Sequence, residues 1–139
     1  MLIAQVVASF FFGTHYLLSD AWTGAGMNLI AMLQALLAIP LGNRPGFRIA
    51  YLVTLPVIGA VVWISWAGLP SAFAAAGFAL ISLGRYQLSP VRFRIFMLAA
   101  IPAWVAHNIL VGSIPGLIAD ACAMASGAWM LKVTLKPTE

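Results

Sequence analysis

Six long apolar runs, separated by short segments rich in Gly, Pro and Arg, most constrain how this chain can fold. A helix needs ~17–25 residues to cross the hydrocarbon core of a membrane. Unpaired backbone groups cannot face lipid, and the alternating strands of a closed barrel are absent. We therefore predict an all-α, polytopic membrane bundle of six transmembrane helices, forming a single membrane domain over residues 1–139. The predicted spans are 2–18, 24–42, 48–67, 70–86, 92–111 and 115–133.

The composition supports a membrane protein. Hydrophobic residues make up 63% of the chain and charged residues 7%, so too few polar residues exist to cover a soluble domain. The basic residues are scattered over short loops and form no nucleic-acid motif, so nucleic acid is not an expected partner. The single Cys122 excludes an intrachain disulfide and a cysteine metal cluster. We expect neither a metal ion nor a cofactor.

The basic residues also predict the orientation of the bundle. The first, third and fifth loops carry no Lys or Arg, so with six spans all seven basic residues fall on one side. Because cytoplasmic loops are enriched in Lys and Arg, we expect both termini in the cytoplasm. We interpret these residues first as determinants of topology. They are Arg44, Arg48, Arg85, Arg92, Arg94, Lys132 and Lys136.

The two ends of the chain repeat one another at a constant offset of 92 residues. The segment FFGTHYLLSDAWTGAGMNLIAM overlays AWVAHNILVGSIPGLIADACAM without a gap. His15 then falls on His107, the only other histidine, and Gly24 falls on Gly116. The offset of 92 residues spans four helices, so both copies run in the same direction. We predict two parallel repeats, an arrangement known from some transporters.

Each copy places polar side chains at one depth near the predicted outer side. A His lies near the end of the first helix and an Asn or Asp lies near the start of the next, and a helix rises ~1.5 Å per residue. An aromatic residue lies one turn deeper in each copy. We expect these side chains to form a substrate-binding site. The candidates are Phe12, His15, Asn28, Trp104, His107, Asn108 and Asp120.

Asp120 is the one acid that falls well inside a predicted span, where a charge costs ~2.5–3.5 kcal/mol on insertion scales. It should face the bundle interior, pair with His107 or Asn108, or be protonated. Two interpretations stay open: a polar pocket open to the outer side, or hydrogen-bond clamps between the His and the Asn or Asp of each hairpin. We do not expect an enzyme, because no catalytic motif occurs and the nearest nucleophile, Ser113, lies in an outer loop.

Two patterns carry a resemblance to known proteins. His-Tyr-Leu-Leu-x5-Gly-x3-Asn over 15–28, and Arg-x9-Trp-x2-His-Asn-x3-Gly-Ser-x2-Gly-x3-Asp over 94–120, resemble the YgjV-type family of the bacterial inner membrane. That family looks related to the PQ-loop superfamily, which includes the SWEET and SemiSWEET sugar transporters. The resemblance implies that an aromatic residue and an Asn of each three-helix unit line a substrate pocket. Phe12 with Asn28, and Trp104 with Asp120, match those positions.

The chain departs from the superfamily pattern in four respects. The Pro-Gln motif is missing, and the first of seven helices has no counterpart. One pocket Asn is here Asp120, and one pocket Trp is here Phe12. Residues 1–42 would be helices two and three of the first unit, 48–67 the linker helix and 70–133 the second unit. We expect that the start is truncated or that a partner supplies the first helix.

The resemblance implies a small-solute transporter for a sugar-like solute, with an outward-facing polar pocket between the repeats. The alternative is a non-transporting membrane scaffold or regulatory subunit whose polar residues are interhelical clamps. The expected partners are the lipid bilayer, a small-molecule solute and further copies of the chain in a homo-oligomer.

Overall fold

The structure, a computed structural model, describes residues 2–135 and is all-helical. Its six helices follow the predicted apolar runs closely, and the largest difference is at the end of the third helix, which stops at Ile64 rather than at residue 67. Lys136, one of the basic residues used to predict orientation, lies outside the described residues. The helices are α1 (Leu2–Leu18), α2 (Trp22–Leu41), α3 (Ile49–Ile64), α4 (Leu69–Tyr86), α5 (Pro90–Val111) and α6 (Ile114–Leu135).

Three of the described helices, α2, α5 and α6, are long and apolar enough to cross a membrane. α1 and α3 are shorter apolar helices. The ends of α5 show why the helices begin and stop where they do. Ser89 caps its N-terminus by accepting a hydrogen bond from the Arg92 amide, and a proline occupies its first turn. Gly112 ends it in the left-handed conformation.

The helices pack mainly on their neighbours in sequence. α1 packs on α2, α4 packs on α3 and α5, and α6 packs on α5. α2 also packs against α3 and α4, and the main apolar core lies there, around Met27, Ala74 and Phe78. α1 and α6 do not form a closely packed pair. They therefore flank a gap on one side of the bundle.

The α1–α2 and α5–α6 hairpins turn in the same way. A left-handed residue stands at equivalent positions, Asp20 with φ 54° and Gly112 with φ 69°. The next amide donates to the carbonyl five residues earlier, which is Tyr16 at 2.9 Å in the first turn and Asn108 at 2.8 Å in the second. This is the Schellman arrangement that closes a helix end. We call the end of the molecule that carries Asp20 and Gly112 the turn end.

Candidate functional site

A central cavity of about 220 Å³ lies between the two hairpins. α1 and α4 each contribute residues spaced three or four apart, which share one face of the helix. α1 contributes Gln5, Ser9, Phe12 and Tyr16, and α4 contributes Phe78, Ile81 and Arg85. Residues of α2, α5 and α6 complete the wall. α1 and α6 both line the cavity without forming a closely packed pair.

Five of the seven residues predicted for the site line this cavity. They are Phe12, Asn28, Trp104, Asn108 and Asp120. The two histidines are not among the lining residues. His107 lines a separate cavity of about 310 Å³ nearer the loops of the turn end, with Asp20, Thr23 and Ser71.

A hydrogen-bonded chain links three helices at the turn end of the cavity. The Tyr16 hydroxyl donates to Asn108 Oδ1 at 2.7 Å, and Asn108 Nδ2 donates to Asp120 Oδ2 at 2.8 Å. Tyr16 is 3% exposed and Asn108 is 1% exposed. Gly116 packs against the Asn108 side-chain amide, leaving no room for a Cβ atom. The amide is therefore fixed from three sides, and the prediction that Asp120 pairs with Asn108 is confirmed.

The predicted histidine clamps are wrong. His15 Nε2 lies 2.9 Å from Ser113 Oγ, and His107 Nδ1 lies 2.9 Å from the Pro70 carbonyl oxygen. Asn28 Nδ2 donates to the Gly24 carbonyl of its own helix at 3.0 Å. The reason is helix geometry: successive residues point about 100° apart. The residue after each histidine faces the centre, so the histidines themselves face elsewhere.

His107 fills a niche formed by a glycine of α2. A Cβ atom on Gly24 would lie 2.7 Å from His107 Nε2 and 3.2 Å from the Tyr16 ring. His107 is 1% exposed, and its Nε2 has no hydrogen-bond partner within residues 2–135. Together with Asn108, these rings close the central cavity at the turn end. At the turn end, where an open pocket was expected, these side chains are buried and neighbours already occupy the Cβ positions of Gly24 and Gly116.

The aromatic candidates form the apolar wall of the cavity. Trp104 stacks on Tyr16 with 6.2 Å between ring centroids, and Phe12 lies 6.3 Å from the same ring. A Cβ atom on Gly77 would lie 2.8 Å from the indole of Trp104, so this glycine admits the large ring against α4. The indole Nε1 is buried and finds no partner within the described chain. The wall therefore offers stacking surface.

Sequence reasoning missed four polar residues of the cavity, Gln5, Ser9, Tyr16 and Arg85. Tyr16 could have been found from the repeat, because it stands 92 residues before Asn108, its hydrogen-bond partner. Arg85 follows Phe78 and Ile81 at helical spacing and lines the cavity. Its guanidinium Nη1 donates to Gln34 Oε1. Because Arg85 lies near the end of α4, its place in the sequence indicates first a determinant of membrane topology.

The comparisons with known proteins give one match. The model of the Imp-YgjV family, described as a bacterial inner membrane protein, matches residues 1–132. No curated protein and no solved structure matches the chain. Within residues 2–135, no group of three or more His, Cys, Asp or Glu side chains is arranged to hold a metal ion.

Proposed function

Since the chain belongs to the Imp-YgjV family of bacterial inner membrane proteins, we propose that it binds and transports a small solute through the central cavity. The observation that carries the proposal is the lining of that cavity. Polar groups of three helices converge beside an aromatic wall in a chain that is 63% hydrophobic. Binding sites for small molecules combine an apolar wall with a few placed polar groups, and polar groups are retained inside membranes where they have a function.

We propose that all six helices cross the inner membrane and that both termini are cytoplasmic. The support is the distribution of Lys and Arg over the second loop, the fourth loop and the C-terminal segment. The turn end then faces the periplasm. In this orientation the cavity is closed toward the periplasm by Tyr16, His107 and Asn108, which are each at most 3% exposed.

We propose further that the two hairpins are parallel repeats of the PQ-loop type. Their turns share the left-handed residue and the closing hydrogen bond. Both predicted pairs, Phe12 with Asn28 and Trp104 with Asp120, line the same cavity. In this assignment α3 is the linker helix, and α4, α5 and α6 form a complete three-helix unit.

The proposed mechanism gives each lining group a simple role. Phe12 and Trp104 pack on the solute, and Asn28 and Asp120 hydrogen-bond to it. Release toward the periplasm requires that the Tyr16–Asn108 hydrogen bond breaks, since this bond ties α1 to α5 at the closed end. No covalent step is proposed, and the protein is not assigned an enzymatic activity.

The test is the thermal stability of the purified, detergent-solubilised protein against a panel of neutral, cationic and anionic solutes, followed by uptake into proteoliposomes. We expect at least one solute to raise the melting temperature and to be taken up, and Trp104→Ala to abolish both effects. Trp129→Ala is the matched control, because Trp129 is 66% exposed on α6. If no solute stabilises the wild type, or if Trp104→Ala responds like the wild type, the proposal fails.

A scaffold or regulatory subunit is the second candidate, and the Tyr16–Asn108–Asp120 chain favours it. A hydrogen-bonded link between α1, α5 and α6 stabilises the bundle without any solute. This candidate predicts that the same substitutions lower stability while no solute shifts the melting temperature. Association of further copies along α6, most of which is exposed, belongs to either candidate and is tested by the oligomeric state in detergent.

A further inference from the structure

Arg85 places a guanidinium at the end of the central cavity opposite the Tyr16–Asn108–Asp120 chain. The neighbouring Gly84 packs against Phe96 and Met97 near the start of α5, whereas Asn108 lies near the end of α5. At ~1.5 Å per residue, the two ends of the cavity are roughly 18 Å apart along the helix axis. Since helical side chains lean toward the N-terminus of their helix, the Arg85 side chain leans from its end of α4 along the cavity.

The buried side-chain amide of Gln34 accepts a hydrogen bond from the guanidinium of Arg85. Gln34 is 5% exposed. Its Nε2 donates to Thr54 Oγ1 at 2.9 Å and to Ser82 Oγ at 3.4 Å, which turns its Oε1 toward Arg85 Nη1. A guanidinium carries five N–H donors, and this contact uses one of them. The others remain for a ligand in the cavity that Arg85 lines.

No carboxylate within residues 2–135 neutralises this charge. The two acids there are Asp20, in the first turn, and Asp120, which accepts its hydrogen bond from Asn108 at the far end of the cavity. Arg85 is half-buried, and a charge partly withdrawn from water is stabilised by a partner of opposite sign. The partner that Arg85 lacks within the described chain can therefore be the ligand itself.

The face of α4 next to the guanidinium is apolar, although Gln5 of α1 also lines this cavity. Phe78 and Ile81 precede Arg85 on the same face of α4, and the indole of Trp104 lies against Gly77, the residue before Phe78. A ligand that reaches from Arg85 to Trp104 would thus have an anionic group at one end and an apolar body at the other. Guanidinium groups recognise carboxylates and phosphonates by paired hydrogen bonds.

We propose that the solute is a small organic anion, whose anionic group binds Arg85 and whose apolar body lies against Phe78, Ile81 and Trp104. This proposal rests on the proposed function, because it assigns the chemical class of the solute in the same cavity. Gln34 is a positioning residue for Arg85.

The test is direct binding to the purified protein in neutral detergent, measured by calorimetry with four anions: benzoate, phenylacetate, hexanoate and phenylphosphonate. Benzamide serves as the uncharged counterpart of benzoate. We expect at least one anion to bind and benzamide to bind at least about tenfold more weakly, the size of a lost charged hydrogen bond. Arg85→Gln should weaken the anion by about tenfold or more. Arg85→Lys should fold normally and weaken it less, because it keeps the charge and loses the paired geometry.

Arg92→Gln is the matched control, because Arg92 is exposed outside the cavity, and it should bind like the wild type. The proposal is overturned if none of the four anions binds, if benzamide binds as tightly as benzoate, or if Arg85→Gln and Arg92→Gln behave alike. It is also overturned if anionic phospholipid in nanodiscs is the one anion that depends on Arg85, since the site would then hold a headgroup. In each case, Trp104-dependent stabilisation by a neutral or cationic solute would leave the proposed function standing.

Discussion

The α1–α2 hairpin and the α5–α6 hairpin have the same turn and very different surroundings. α2 lies against α1, α3 and α4, whereas α6 packs on α5. Positions 92 residues apart therefore differ in burial. Buried residues of α2 correspond to residues of α6 that are partly or fully exposed. The pairs are Met27 and Ala119, Ile30 and Cys122, Ala31 and Ala123, Ala35 and Gly127, and Ala38 and Met130.

This difference separates what local sequence determines from what neighbours determine. The turn depends on a few local residues and is the same in both hairpins. The hydrogen-bond partner of the equivalent polar residue, Asn28 or Asp120, depends on the neighbouring helices. Asn28 bonds to its own helix, whereas Asp120 is held by Asn108 of another helix. Five sets of substitutions test the comparison, beginning with the largest expected effect.

Adding a methyl group at the glycines of the hairpins should have the largest effect. Gly116→Ala forces a Cβ atom into the fixed amide of Asn108, and we expect the free energy of unfolding to fall by about 3 kcal/mol, the upper range for overpacking. Gly24→Ala, which meets His107 and Tyr16, should cost a similar amount. Thermal unfolding in detergent measures both.

Gly59→Ala is the control for these glycines, because a Cβ atom there meets nothing within 4 Å. It should leave stability unchanged or raise it slightly, since alanine favours helix. Equal losses in all three variants would mean that the tight packing at the turn end does not exist.

Replacing alanine by leucine at equivalent positions of α2 and α6 tests how far neighbouring helices cover each of them. Ala31→Leu places three further carbons in the core near Met27 and Phe78 and should lower the free energy of unfolding by about 2 kcal/mol. Ala123→Leu, at an exposed position on α6, should have almost no effect on a monomer. A loss at Ala123 as large as that at Ala31 would show that α6 is covered by another chain.

Replacing the asparagine of each hairpin by alanine should lower the free energy of unfolding by unequal amounts. Asn108→Ala leaves Tyr16 and Asp120 without their shared partner and should cost about 1.5 kcal/mol, within the range for a buried group left unsatisfied. Asn28→Ala removes a bond within one helix and should cost much less. Chemical unfolding in detergent checks the difference, and the comparison breaks if the two losses are equal.

Tyr16→Phe removes one hydroxyl and keeps the ring between Phe12 and Trp104. We expect a loss of about 1 kcal/mol, the net value of one hydrogen bond. Tyr86→Phe, at the end of α4, is the matched control and should have no measurable effect. The inferred link between α1 and α5 is wrong if Tyr16→Phe is as stable as the wild type.

Asp120→Asn makes the second hairpin like the first and should have the smallest effect on stability. The new amide carbonyl can still accept the bond from Asn108, so a change within about 0.5 kcal/mol is expected for a conservative polar change. If the loss of stability equals that of Asp120→Ala, the carboxylate itself maintains the fold.

The helices could be predicted because their signals are local. Runs of apolar residues between Gly and Pro segments predicted both ends of α1 and the C-terminal ends of α4 and α5 at the observed residues. The repeat correctly indicated that Phe12, Asn28, Trp104 and Asp120 meet at one cavity. These predictions need only the spacing of residues along the chain.

The partners of the polar groups could not be predicted, because they depend on how each helix is rotated about its axis. Depth along the helix left both His107 and Asn108 open as partners of Asp120, and it suggested His15 as the partner of Asn28. Rotation turned His107 toward Pro70 and brought Asn108 to Asp120. Arg85 was missed for a similar reason, since a basic residue near a helix end has the same sequence signature whether it faces lipid headgroups or a cavity.

The contact between Tyr16 and Asn108 joins two positions that are equivalent in the two copies. In an assembly of two identical copies of one hairpin chain, a single codon would have to specify both sides of such a contact. Here two codons in one reading frame specify them, so a phenol donor can stand opposite an amide acceptor. Each mutation in this gene changes one side of the contact, and the two sides can diverge independently.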